Sequence, residues 1–286
     1  MLQALVSGIL VGGVYGLFST GFSLAFGVMR IVNFAHGELV MLGMYAGFFL
    51  AASAGIDPLL AAPLVFVVIG ALGALLYWLV FRQFVGRATL QQLLVAIAVG
   101  LVLQVAAQIA FGTDPHAVRS GWGSQYLLIG SLFLSWAQIA AFLVALACVG
   151  ALELLLRRTR WGQAIRAVAD DGEAAELVGL DAGRINVLAF ALSAGLAGLA
   201  GSVLVTYYPV SPTVGAELMP IALIATVLGG LGSVGGAFLG GIVCGVVEQL
   251  TSFFWNAALE DVPLYVLLLV ILAVLPRGLF GRAAVH

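Results

Sequence analysis

Apolar runs long enough to cross a bilayer follow one another along almost the whole of this chain, and nothing constrains its fold more tightly. A helix needs about 20 apolar residues to cover roughly 30 Å of hydrocarbon. Runs of this length and apolarity read as membrane-spanning helices. Their approximate bounds are 2–28, 37–55, 58–81, 88–111, 131–156, 185–207, 217–231, 234–253 and 262–280. Run 217–231 is short and carries Gly229-Gly230 at its end, just before Leu231, which predicts a half-helix or re-entrant piece shielded from lipid by protein. Composition agrees: 63% of the 286 residues are hydrophobic and 8% are charged. Burying that much apolar surface requires lipid, so the expected fold is an all-α polytopic bundle of eight or nine spans, with 1–286 forming one domain.

Small residues recur four apart at Gly8/Gly12/Gly16, Gly43/Gly47, Gly236/Gly240 and Gly241/Gly245, a spacing that lets helix backbones approach closely. The two cysteines, Cys148 and Cys244, fall inside apolar runs and read as small hydrophobes rather than a disulfide. The start, MLQALVSGILVGG, lacks the basic region of a cleavable signal and reads as the beginning of the first span.

Orientation follows from the arginines, because the chain contains no lysine. With nine spans, every arginine except Arg119 falls on one side, and the positive-inside rule makes that side cytoplasmic. The N-terminus is then outside and the C-terminus inside. The net charge of -2 gives no reason to expect nucleic acid.

Charge is concentrated in one place. Of 11 arginines and 13 carboxylates, five of each lie between Arg157 and Arg184. Arg157, Arg158, Arg160 and Arg166 open this loop. Asp170-Asp171-Gly172-Glu173 then reads as a helix start, with an aspartate capping a backbone N–H and Glu173 reaching back. Ala174, Ala175, Leu177 and Val178 supply a small apolar face, and Gly179 is a natural stop. From charge alone the loop is either a solvated connection or a surface for a partner.

A second polar stretch, Arg30 to Glu38, interrupts two apolar runs with Asn33, His36 and Glu38. Asn33 is placed to cap a helix beginning near Phe34. Ionisable groups at membrane depth suggest a transport path, and a turn whose polar groups satisfy one another is the other reading. Tyr15 joins the first reading as an additional candidate. Thr20, Gln104, Gln108, Ser193, Thr226, Glu248 and Gln249 are further polar residues within spans, for which bonding between helices is the simpler role.

Enzyme chemistry finds no support. Gly230-Leu231-Gly232-Ser233-Val234-Gly235 fits a dinucleotide fingerprint, but its flanks are membrane spans rather than a βαβ unit. A Walker-type phosphate loop requires a lysine, so ATP is not held by such a loop on this chain. No zinc-ligand spacing occurs, and no metal or cofactor is expected on the chain.

The chain resembles the permease subunits of bacterial ABC importers for branched-chain amino acids, the LivH type. The resemblance is carried by Asn33-Phe34-Ala35-His36-Gly37-Glu38 with Met41-Leu42-Gly43, and by Arg166-Ala167-Val168-Ala169-Asp170 leading to Leu177-Val178-Gly179-Leu180. Val227-Leu228-Gly229-Gly230-Leu231-Gly232-Ser233 and Leu275-Pro276-Arg277-Gly278-Leu279-Phe280-Gly281 extend it over nearly the whole chain. The importer coupling signature is present in part, as Glu173-Ala174-Ala175 and Gly179, without the downstream Ile-x-Leu-Pro.

The resemblance implies a core of two permeases, this chain and a homologous second one. It also implies two ATPase subunits that bind ATP and magnesium, and a periplasmic binding protein. It places the complex in the bacterial inner membrane. Residues 157–184 become a coupling loop, with Arg166, Asp170, Asp171, Glu173, Ala174, Ala175, Leu177 and Gly179 as the expected ATPase contacts. Tyr15, Asn33, His36 and Glu38 become the expected substrate path. The family also serves urea, short amides and other amino or organic acids, and no residue decides between them. A stand-alone secondary transporter or channel would need more coupled ionisable groups at mid-membrane than the chain offers.

Overall fold

The computed structural model describes residues 1–118, 125–129, 132–255, 259, 262–275 and 278–280. In chain order its helices are α1 (Leu2–Met29), α2 (His36–Ala54), α3 (Pro58–Leu79), α4 (Thr89–Phe111) and α5 (Trp136–Arg158). There follow α6 (Arg160–Asp170), α7 (Gly172–Leu177), α8 (Ala182–Leu204), α9 (Val214–Gly229), α10 (Val234–Phe254) and α11 (Val262–Val274). Seven of these, α1 to α5 with α8 and α10, are long and apolar enough to cross a membrane, while α9 and α11 are shorter apolar helices. The all-helical bundle expected from the sequence is therefore observed.

The sequence bounds are corrected in several places. The run expected to begin at 131 opens instead with an antiparallel hairpin, β1 (Tyr126–Ile129) on β2 (Leu132–Ser135), and its helix starts only at Trp136. The run to 81 stops at Leu79 and passes into a 3-10 turn, Phe81–Phe84. The last run stops at Val274. Beyond it the N–H groups of Leu279 and Phe280 donate to the carbonyls of Leu228 and Gly229, tying the chain to the end of α9.

Close backbone approach organises the centre. α1 is buried on nearly every side, and its Gly8, Gly12 and Gly16 face Gly245 and Gly241 of the antiparallel α10. A Cβ on Gly12 would lie 2.7 Å from the Ile242 Cα, so a side chain there forces the two backbones apart. On α2, Gly43 and Gly47 meet Gly198 and Ser202 of the parallel α8 in the same way. Without water between helices, dispersion across such seams is what holds a bundle together in lipid.

The helices alternate in direction, so the described arginines from Arg30 to Arg184 gather at one end, hereafter the arginine end. Arg119, Arg277, Arg282 and the Glu260-Asp261 pair lie outside the described residues. Two helices keep the alternation but do not start at an end of the bundle. α2 and α9 both begin about halfway through the bundle. His36, the first residue of α2, lies beside Gly21, where a Cβ would meet both its ring and the carbonyl of Ser193, the central residue of α8. Ala35 and Glu38 lie beside Gly100, the central residue of α4. The α9 N-terminus meets α2 at this level, where a Cβ on Gly37 would overlap the Gly215 carbonyl. From there α9 runs to the arginine end over about 24 Å, at 1.5 Å per residue, and packs against α1, α2 and α10.

Candidate functional site

Residues 30–36 leave the arginine end and climb back into the bundle, so they form no surface turn. Arg30 takes a left-handed conformation, φ 54°, that ends α1 and reverses the chain. Asn33 is buried, and its side-chain oxygen accepts from the Ala35 N–H at 3.1 Å. This contact lies in the turn before the helix and is not the expected cap: α2 starts at His36 rather than Phe34, Ala35 holds its N-cap position, and no side chain caps it. His36 is fully buried and its Nε2 lies 2.8 Å from the Phe18 carbonyl oxygen. Phe22 packs edge-on against the imidazole ring. Nδ1 has no hydrogen-bond partner among the described residues.

Glu38 follows within the first turn of α2, where the helix dipole favours a negative charge. The residue is 5% exposed, and its Oε2 has no hydrogen-bond partner among the described residues. It is turned towards α9, since a Cβ on Gly215 would lie 2.5 Å from Oε2. Glycine at 215 is what allows the carboxylate to approach the second helix start. Tyr15 is also buried, but it belongs to a neighbouring group: its hydroxyl donates to Glu248 Oε1 at 3.1 Å, joining α1 to α10. Its ring contacts Phe18 at 5.8 Å, so it lies one turn of α1 above the carbonyl that holds His36. The four candidates form two linked clusters around the middle of α1.

Two of the other polar residues named from the sequence, Thr20 and Thr226, bond between helices. Thr20 donates to the Val234 carbonyl at 3.2 Å, and Thr226 donates to the Ser19 carbonyl at 3.2 Å. His116 exchanges backbone bonds with Val210 at 2.8 Å each way, tying the loop before α9 to the end of α4.

At the arginine end, the loop 157–184 holds two helices where the sequence suggested one. Thr159 caps α6 through the Gly162 N–H at 3.0 Å, and Ile165 and Val168 turn inward. The Arg-rich opening is itself helical because its apolar residues recur at three-residue spacing. Arg166 reaches back and donates to the Leu156 carbonyl of its own chain. Asp171 caps α7, accepting from the Ala174 N–H at 3.0 Å, and Glu173 stands in the first turn. Gly179, with φ 90°, ends the helix, while the Leu180 N–H closes on the Ala175 carbonyl at 3.0 Å.

The apolar residues of α7 do not form one face, which corrects the sequence reading. Residues 175 and 177 are about 200° apart at 100° per residue. Ala175 is therefore packed into its own chain at 4% exposure, whereas Leu177 and Val178 are 89% and 80% exposed. Ala174, Glu173 and Asp170 are also exposed. Beside this unit opens a cleft of about 910 Å³, lined by Arg30, Glu153, Arg157, Arg166, Asp170 and Ser233 among others.

Sequence reasoning passed over the start of α9. Thr213 donates to Glu217 Oε1 at 3.2 Å, and Ser211 is 3.1 Å from Thr213. Thr213, Ala216 and Glu217 are exposed at the level of the α2 start. The available signal was a lone carboxylate at the head of the shortest apolar run. No group of three metal-ligating side chains occurs among the described residues.

Comparison with known proteins gives a consistent picture. A family model described as branched-chain amino acid transport system / permease component matches residues 4–275. The high-affinity branched-chain amino acid transport system permease protein LivH of Escherichia coli is 32% identical over 299 residues, covering 100% of this chain and 97% of its own length. BraD of Pseudomonas aeruginosa, with the same description, is 32% identical over 298 residues, with 100% and 97% covered. A more distant relative, the L-arabinose ABC transporter permease protein AraH of Azospirillum brasilense, is 31% identical over 195 residues, with 63% and 54% covered. Among solved structures, PsaBC from Streptococcus pneumoniae in complex with Fab has a TM-score of 0.50 at 14% identity, covering 96% of this chain and 92% of that one. That likeness is one of fold alone.

Proposed function

Because this chain belongs to the permease component family of branched-chain amino acid transport systems, we propose that it is the membrane permease subunit of an ATP-binding-cassette importer for leucine, isoleucine and valine. The observation that carries this is similarity along the full length of both chains, from the first span to the last. A transport subunit moves solute and performs no bond chemistry. Energy enters through two separate ATPase subunits that bind ATP and magnesium. A second, homologous permease completes the core, and a periplasmic binding protein presents the amino acid. The complex is placed in the bacterial inner membrane with the arginine end cytoplasmic, supported by the gathering of the described arginines at that end.

In this reading α6 and α7 form the coupling unit. Leu177 and Val178 are its apolar contacts with an ATPase, and Asp170, Glu173 and Ala174 surround them. Asp171 and Gly179 fix where the helix begins and ends, Arg166 fastens it to α5, and Ala175 seats it on the bundle. Two capped helices on short tethers move as a body, so ATPase closure reaches α5 and α8 directly. The substrate path passes the broken start of α2. Asn33, His36, Glu38 and Tyr15 lie where two helices are interrupted, the arrangement that transporters use to present backbone and side-chain polarity at mid-membrane.

The test is uptake by the complete complex, reconstituted in vesicles with its ATPases and binding protein. Labelled leucine is expected to accumulate only with ATP inside. Accumulation of urea or an amide in place of leucine would overturn the substrate.

A further inference from the structure

The first turn of α9 carries a carboxylate that this chain leaves uncovered at membrane depth. Glu217 is exposed and bonded to Thr213, one turn back, with Ser211 beside that threonine. Its depth follows from packing: Gly215, two residues earlier, lies against Gly37 and Glu38. Glu38 in turn lies beside the midpoint of α4. A carboxylate facing lipid at this level costs several kcal/mol, and such groups instead face water or a bundle interior. The partial positive charge at the α9 N-terminus eases that cost but leaves most of the carboxylate's lone pairs unmet. The same turn is met from α2 by the buried Glu38, whose Oε2 has no hydrogen-bond partner among the described residues. Two carboxylates thus converge on one helix start, and the described arginines lie at the far end of the bundle.

We propose that the exposed face of the α9 start, with Thr213, Ala216 and Glu217, lines a water-filled passage between this chain and the second permease, and that Glu217 receives the ammonium group of the amino acid in transit. The passage follows from depth and exposure. The ammonium assignment rests on the amino acid reading above, and on the absence of a described cation at this level. The exposed stripe continues through the partly buried Pro220, Leu223 and Val227 towards the arginine end. It would give the aliphatic side chain of the solute an apolar wall below the carboxylate.

The passage is tested by thiol labelling of the assembled complex in vesicles. Cys148 and Cys244 are first replaced by Ala. Glu217→Cys is expected to react with a charged methanethiosulfonate at least tenfold faster than Val68→Cys, a 52% exposed position at the midpoint of α3. Labelling no faster than at Val68→Cys overturns the passage, whatever the substrate. The ammonium role is tested by uptake. Glu217→Gln is expected to lower leucine uptake about tenfold, the scale of one charge-assisted hydrogen bond, with Glu217→Asp recovering most of it. ATPase co-purification checks assembly. Wild-type uptake by Glu217→Gln, together with rapid labelling of Glu217→Cys, overturns the ammonium role and keeps the passage. A wild-type complex that takes up no amino acid overturns the functional reading and leaves the labelling result standing.

Discussion

Leu177 offers a sharp test of how ATPase closure reaches the membrane. The side chain is 89% exposed at the tip of α7, so its removal costs the isolated permease almost nothing. Docked in an ATPase groove, it would lose nearly all that exposure. Burying a leucine side chain is worth about 2 kcal/mol, so Leu177→Ala should weaken permease–ATPase association roughly thirtyfold, at 1.4 kcal/mol per decade. The assay titrates ATPase subunits onto the purified permease core and reads the dissociation constant, with thermal unfolding of the core as control. Ala175→Glu is the instructive contrast. Ala175 is 4% exposed within its own chain, so a charge there should lower the core's own unfolding temperature. Association unchanged within twofold in Leu177→Ala, with uptake intact, would refute the docking role and return the loop to a solvated connection.

Three further outcomes are expected. Glu38→Gln removes a buried charge with an unmet oxygen while keeping its volume, so the unfolding temperature should hold or rise while leucine uptake falls at least tenfold; normal uptake would make the residue structural only. Gly12→Val places a branched side chain against α10, where even a Cβ lies 2.7 Å from Ile242, and should lower thermal stability by more than 3 °C with little folded complex recovered. Asp171→Ala deletes the α7 cap and Gly179→Val opposes a φ of 90°, each costing on the order of 1 kcal/mol; both should raise ATP hydrolysed per leucine transported, measured side by side in vesicles.

Much of this protein was legible from one dimension because membranes make local rules decisive. A backbone in hydrocarbon must satisfy its own hydrogen bonds, so the helical character and approximate place of the apolar runs followed from run length alone. The end-capping of α7 by Asp171 and its stop at Gly179 were equally local, since both rest on contacts within a few residues. The glycine spacing announced close packing, and α1 on α10 is one such seam.

Tertiary structure decided the rest, because depth and facing are set by neighbours. The polar run Arg30 to Glu38 left two readings open, a surface turn or a polar break at membrane depth; the Phe18 carbonyl and the midpoint of α4 put it inside the bundle. Nor did the sequence separate Ala175 from Leu177, which part only when a six-residue helix seats one side against α6 and α8. Glu217 looked like the border of a short apolar run. Only the meeting of α9 with the start of α2 shows that this border lies halfway through the bundle, and at that depth in a bilayer an exposed carboxylate requires water or a partner.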